Sequence, residues 1–149
     1  MTLEQNKEVA LEAFRAIETC DPVAAARIIA PDFINREADD NPNRPDGGLR
    51  GPDSLIATSR WLHETFSDLR FDHYEVVAED DRVIVVVTMS GTHTGTFQGI
   101  PPTRKQFHQR QFHLFRLRSG KVAEHLSLRD DLALLNQLGV LSLLPVERH

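Results

Sequence analysis

A chain of 149 residues predicts one domain over residues 1–149, because two domains would each be left with too little interior. Hydrophobic residues at 40% and charged residues at 26% exclude a disordered or fibrous chain, and a net charge of −5 lacks the basic footprint of a nucleic-acid binder. The longest strictly apolar run, Val83–Val87, is far too short to cross a bilayer, the first residues carry no apolar signal core, and the single Cys20 excludes an internal disulfide, so no membrane partner is expected and the cytoplasm is the expected compartment.

In chain order, Thr2 with Gln5 three residues on forms a capping box, and Val9, Ala10, Ala13, Phe14 and Ile17 share one helical face, predicting a helix over 3–19. Asp21-Pro22 starts a second, short helix that runs to Ala30 and stops at Pro31. Asp32–Asn35 reads as a brief extended piece, and Arg36–Arg50, with two prolines, three aspartates, two asparagines and two glycines, as a loop. Gly51-Pro52 opens a third helix with Leu55, Ser59, Leu62 and Phe66 on one face, ending near Ser67-Asp68. Then the pattern changes to strands: Leu69–Glu79, Arg82–Thr94 after an Asp80-Asp81 turn, Gln106–Arg118, and Lys121–Arg129 after a Ser119-Gly120 turn. Asp130 caps a last helix over Asp131–Leu138, closed by Gly139. Helices first and a strand meander second predict an α+β fold, with a curved antiparallel sheet covered on one side by the N-terminal helices.

Seven histidines are the feature to explain. On Gln106–Arg118 the odd positions carry Phe107, Gln109, Gln111, His113, Phe115 and Leu117, the mixture of apolar walls and few polar groups that a ligand cavity needs; the even positions, with Phe112 and Leu114, compete for the inner face. On the next strand Val122, Glu124, Leu126 and Leu128 read as the core set, leaving Ala123, His125, Ser127 and Arg129 either at the cavity or in solvent. His93 falls at the cavity mouth or at an exposed sheet end. His63 and His73 fall on outer surfaces, and His149 is terminal. There is no His-Glu-x-x-His and no cysteine pair, so no metal is expected, and no Gly-x-Ser-x-Gly marks a nucleophile. General acid–base chemistry by His or Asp in an apolar pocket remains. Asp130, beside Arg129, is either a base at the cavity edge or simply a helix cap.

An ordered set of motifs resembles the SnoaL-like polyketide cyclases, also called ester cyclases, of the nuclear-transport-factor-two-like superfamily. It comprises Asp32-Phe33-Ile34-Asn35, Gly91-x-His93-x-Gly95-x-x-x-Gly99-Ile100-Pro101-Pro102-Thr103, Gln111-x-His113-Leu114-x-Arg116, Gly120-Lys121-Val122-x-Glu124-His125 and Leu135-x-Gln137-Leu138-Gly139. The resemblance covers nearly the whole chain. It implies a cone-shaped α+β barrel, a homodimer or homotetramer, and no metal or organic cofactor. Its best-understood members close the fourth ring of anthracycline precursors by intramolecular aldol condensation, using an aspartate near a histidine, with Asn and Gln side chains nearby. The family's Asn, Gln and His fall on Asn35, Gln111 and His113, which favours the odd face as the inner one. The cyclase aspartate falls on Ser127, a departure, while an aspartate four residues after the Trp position of other members is present as Asp130.

The resulting expectation is a cofactor-independent cyclase acting on a hydrophobic polycyclic small molecule. His113 or Asp130 would move the proton, and Asn35, Gln111, His93, His125, Ser127 and Arg129 would bind the substrate. A hydroxylase-type member of the same family, suggested by Ser127, and a non-catalytic binding domain are the rival expectations. Pro101-Pro102 stiffens Gly99–Lys105, which favours a packing role for that loop over a lid.

Overall fold

A computed structural model describes residues 1–141, so His149 lies outside the described residues. The chain begins with α1 (Leu3–Thr19), whose expected capping box is present: the Thr2 hydroxyl accepts from the Gln5 N–H and the Gln5 side chain accepts from the Thr2 N–H. Asp21 caps α2 (Pro22–Ile28) by accepting from the Val23 N–H. The chain then turns directly into β1 (Ile29–Asn35). Ala30 and Pro31 therefore belong to a strand longer than the brief extended piece expected. Proline is tolerated because β1 is the edge of the sheet.

Within the expected loop the chain forms one helical turn, α3 (Arg36–Asp39), before α4 (Pro52–Thr65). The latter ends before Phe66, which opens β2 (Phe66–Glu79). Phe66 fits the helical face by spacing. It is nonetheless taken into the sheet because it pairs with His93 and packs on the Phe97 and Phe107 rings. The meander continues through β3 (Arg82–His93), β4 (Gln106–Arg118) and β5 (Lys121–Arg129), and Asp130 caps α5 (Asp131–Gln137).

The sheet order is β1-β5-β4-β3-β2; the meander is antiparallel and β1 adds a parallel edge beside β5. Helices α1, α2 and α4 cover one face. Under them Phe14, Ile28, Phe33, Leu55, Val83, Val85, Val87 and Phe115 form one core cluster. Leu62, Phe66, Met89, Phe97, Phe107, Leu134 and Leu138 form a second towards the other end. The odd positions of β4 face this interior: Phe107, Gln109, Gln111, His113, Phe115 and Leu117 are all buried.

One alternation departs from expectation. The register between β4 and β5 shifts at Arg116/Leu117, so Val122 and Ala123 are both buried in succession. After this bulge the phase is reversed. His125 turns inward, while Leu126 and Leu128, expected in the core, stand outside at 43% and 79% exposure.

Candidate active site

A narrow, largely apolar cavity lies between the sheet and the helices. Its walls are mainly apolar, with Phe14, Ile17, Leu55, Phe71 and Phe115 among them, and its polar groups are Asn35, Arg44, Thr58, His113, His125 and Arg129. Arg44, Leu62 and Arg129 also line a second cavity, together with Glu37, Gln109 and Asp131.

Each polar group arrives from a different element. Asn35 ends β1, where it pairs in register with His125 of β5. His113 sits on β4 opposite Ser127, and Gln111 opposite Arg129. Their side chains make a continuous chain of contacts. Asn35 Oδ1 lies 2.9 Å from His125 Nδ1, and His125 Nε2 lies 2.8 Å from His113 Nδ1. His113 Nε2 lies 2.7 Å from Gln111 Oε1. Gln111 Nε2 donates to Gln109 Oε1 at 2.8 Å, and Gln109 Nε2 donates to Asp131 Oδ1 at 2.9 Å. The His113 ring is also held edge-on by Phe14 at 4.9 Å.

Both imidazoles are kept neutral. Burial pushes His113 well below the ordinary histidine value; repulsion from His125, whenever that ring is protonated, and from the Arg129 charge pushes the same way. Burial likewise lowers His125 to about 4; Glu37 opposes this, and Arg129 and Arg44 reinforce it.

Beside the pair lies a buried ionic cluster that sequence reasoning missed. Glu37, from α3, accepts from Arg44 Nη1 at 2.6 Å and from Arg129 Nε at 2.6 Å, and also takes the Ser127 hydroxyl. Arg44 in turn makes two bonds to Asp46, at 3.0 and 2.7 Å, and its guanidinium lies over the Trp61 ring. Burial alone would raise Glu37, but the charge and hydrogen bond of Arg129, with Arg44 behind them, outweigh it and hold the carboxyl below the usual range. Two arginines and two carboxylates balance, so the cluster is a neutral unit. Among the described residues Arg129 Nη1 meets only the Met89 sulfur, at 3.9 Å, which leaves N–H groups there to face a ligand oxygen. The signal for Glu37 was absent from local sequence because Arg129 lies 92 residues away.

Of the expected site residues, Asn35, His113, His125 and Arg129 are brought together on the cavity wall. Gln111 stands behind His113, fully buried, with both ends of its amide used within the protein. Ser127 is bound to Glu37 beside Arg129. His93 is not at the cavity mouth: it is fully buried, and its Nδ1 accepts from the Thr103 N–H at 3.1 Å, fastening the Gly99–Lys105 segment to β3. Asp130 is not at the cavity either; its exposed carboxylate accepts from the Ala133 N–H as the cap of α5. Among the described residues there is no group of three His, Cys, Asp or Glu side chains arranged to hold a metal ion. Among them, too, no helix is long and apolar enough to cross a membrane.

This arrangement can be set beside known proteins. The model of the SnoaL-like polyketide cyclase family matches residues 8–138. Aklanonic acid methyl ester cyclase DauD of Streptomyces sp. (strain C5) is 31% identical over 133 residues, 87% of this chain and 76% of the relative. Nogalonic acid methyl ester cyclase of Streptomyces nogalater is 30% identical over 113 residues, 74% of this chain and 80% of the relative. The solved structure of TsrD from Streptomyces laurentii superposes with a TM-score of 0.82 at 25% identity, covering 95% of this chain and 99% of that one.

Proposed function

The chain belongs to the SnoaL-like polyketide cyclase family, and on that premise we propose that it closes a ring in a polycyclic polyketide ester by an intramolecular aldol-type reaction. The observation that carries this reading is the neutral His113–His125 pair, 2.8 Å apart in an apolar cavity, with the Arg129 N–H groups beside it.

The chemistry follows from those groups. A C–H between two carbonyls loses its proton to the imidazole pair, and the electron pair delocalises onto a carbonyl oxygen. Arg129 and Asn35 stabilise that enolate oxygen by donating hydrogen bonds, an effect commonly worth about 3 kcal/mol per donor. The enolate carbon then attacks a ketone carbonyl of the same molecule, forming the new C–C bond. The resulting alkoxide recovers the proton from the imidazolium. Substrate and product are isomers, so the step itself needs no oxidant or reductant. A lowered imidazole pKa suits this cycle: the pair is in its basic form at neutral pH and returns the proton readily.

The carboxylate expected from the family at the Ser127 position has a neighbour in Glu37. Held below the usual range between two arginines, Glu37 is a poor base. Its role in this reading is to keep Arg129 aimed at the cavity. Asp130 takes no part.

The test is turnover of the methyl ester of a tricyclic β-dicarbonyl polyketide acid, with chromatography separating open and closed isomers. His113→Ala and His125→Ala should each lower kcat by about 10²-fold or more. If neither change slows ring closure, the imidazole pair is not the base. We also assign the protein to the cytoplasm, in keeping with its free Cys20, and to a homodimer or homotetramer built on the outer face of the sheet, where Ile84, Phe112, Leu126 and Leu128 are exposed.

A further inference from the structure

The side-chain row from Asn35 to Asp131 has a direction, and donors and acceptors determine it. A carboxylate accepts and does not donate, so Asp131 requires Gln109 to present its NH2. Gln109 Oε1 is then left to accept from the Gln111 NH2. The second hydrogen of that NH2 meets the Met89 sulfur at 3.4 Å, an atom that can only accept, so the Gln111 amide is oriented twice over. Gln111 Oε1 therefore faces His113 Nε2, which must carry a hydrogen.

A neutral imidazole holds one N–H. With Nε2 of His113 protonated, its Nδ1 is a lone pair and must receive a hydrogen from His125 Nε2. The Nδ1 of His125 is then a lone pair as well. Asn35 presents Oδ1 to it at 2.9 Å, acceptor against acceptor. A half-turn of the Asn35 amide replaces Oδ1 by the donor Nδ2. Among the described residues the Asn35 side chain makes no other hydrogen bond that would oppose the turn.

We propose that Asp131 is a positioning residue that, through Gln109 and Gln111, sets both histidines as Nε2–H tautomers and leaves His125 Nδ1, beside Asn35, as the proton-accepting atom of the site. Of the four ring nitrogens, two already carry hydrogens and His113 Nδ1 is held by the His125 N–H, so His125 Nδ1 is the one that a turn of the Asn35 amide alone frees to take a proton. When it does, the Asn35 amide turns back and its oxygen accepts from the new N–H. The row joins the two cavities: Asp131 and Gln109 line the second, and His113, His125 and Asn35 the first. The assignment rests on the imidazole pair as the base, and it names which atom of that pair acts.

Imidazole ¹⁵N shifts of the substrate-free protein at neutral pH read the tautomers without any turnover. The wild type should show His113 and His125 both protonated on Nε2 and bare on Nδ1. Asp131→Asn, whose amide can donate as well as accept, and Gln109→Leu, which interrupts the row, should each give mixed tautomers. Each should lower kcat about tenfold with KM nearly unchanged. A His125 Nδ1–H in the wild type, or identical tautomers in the wild type and both variants, overturns the proposal. Failure to cyclise any polyketide ester would instead count against the reading of the reaction and leave the tautomer result standing.

Discussion

His125, lowered to about 4 by its burial and by the charges of Arg129 and Arg44, gives activity and stability a shared dependence on pH. Glu37 and Asp46 oppose that lowering and do not overcome it. The base works unprotonated, so kcat should be flat from about pH 8 down to about pH 5 and fall as pH drops through about 4. A kcat that falls with an apparent pKa near 6.5 would mean that His125 is solvated in the working enzyme. In the unfolded chain the same imidazole protonates near its ordinary value of about 6.5, so between about 6.5 and 4 the unfolded state binds more protons than the folded one. Folding free energy is therefore undiminished above about 6.5 and declines as pH falls to about 4, by up to about 3 kcal/mol for this group. His125→Phe should lose that part of the acid dependence in urea titrations at pH 7 and pH 4. Glu37 is a second test at the same scale. Glu37→Gln removes the carboxylate on which Arg129 and Arg44 converge and leaves Arg129 buried without a counter-charge, which should cost about 3–5 kcal/mol in the same titrations.

Elements were legible in the sequence where short-range chemistry decides them. Thr2 with Gln5, Asp21 with Pro22, and Asp130 each cap the helix they announce; on β4 the alternation left either face free to be the inner one, and the motif with Gln111 and His113 is what favoured the odd face that is buried. Elements decided by distant partners were not. The α4 to β2 boundary moves because Phe66 gains more from His93 and Phe107 across the sheet than from one more helical turn. The β5 phase reverses at a bulge that strict alternation cannot register. The one-turn α3 exists because Glu37 ties it to Arg129 and Ser127 of β5. For the site, this made Asn35, His113, His125 and Arg129 readable as types on strands. Glu37, Arg44 and the Gln109–Asp131 continuation depended on loop and helix placement. The junction of α4 with the segment after β3 carries its own test. The Gly95 N–H donates to the Thr65 carbonyl at 2.9 Å, and a Cβ on Gly95 would collide with the Glu64 carbonyl oxygen. The obstacle is backbone at a helix end, which has little room to give. Gly95→Ala should cost about 2–4 kcal/mol in thermal unfolding, whereas Gly99→Ala, where an added Cβ meets nothing, should cost only the strain of its positive φ, about 1 kcal/mol.

At the scale of the whole molecule the sheet has two unlike apolar faces. One is filled by α1, α2 and α4 and holds the cavity. On the other, register places Ile84, Leu114 and Leu126 in one cross-strand row and Val86, Phe112 and Leu128 in the next. Four of these six are exposed, Leu128 at 79%. A contiguous row of this kind is costly to leave in water, and Arg82, Arg116 and Glu124 rim it with charge, the pattern of an interface centre and its edge. A second copy is the simplest cover, because a two-fold contact lays each row on its own counterpart. That symmetry makes the test sensitive: any substitution enters the contact twice. Leu128→Lys combined with Phe112→Lys places four positive charges in one desolvated patch of the dimer. Sedimentation velocity should then show a dimer or larger assembly for the wild type and a monomer for the double variant. The interior of the sheet is unchanged by residues that face outward, so the far-UV spectrum and ring-closing activity per chain should stay within about twofold of wild type. A double variant that sediments like the wild type would move the interface elsewhere. One that becomes monomeric and also loses ring closure would mean that the cavity depends on the contact, through the strands β4 and β5 that carry His113 on one side and Phe112 and Leu128 on the other.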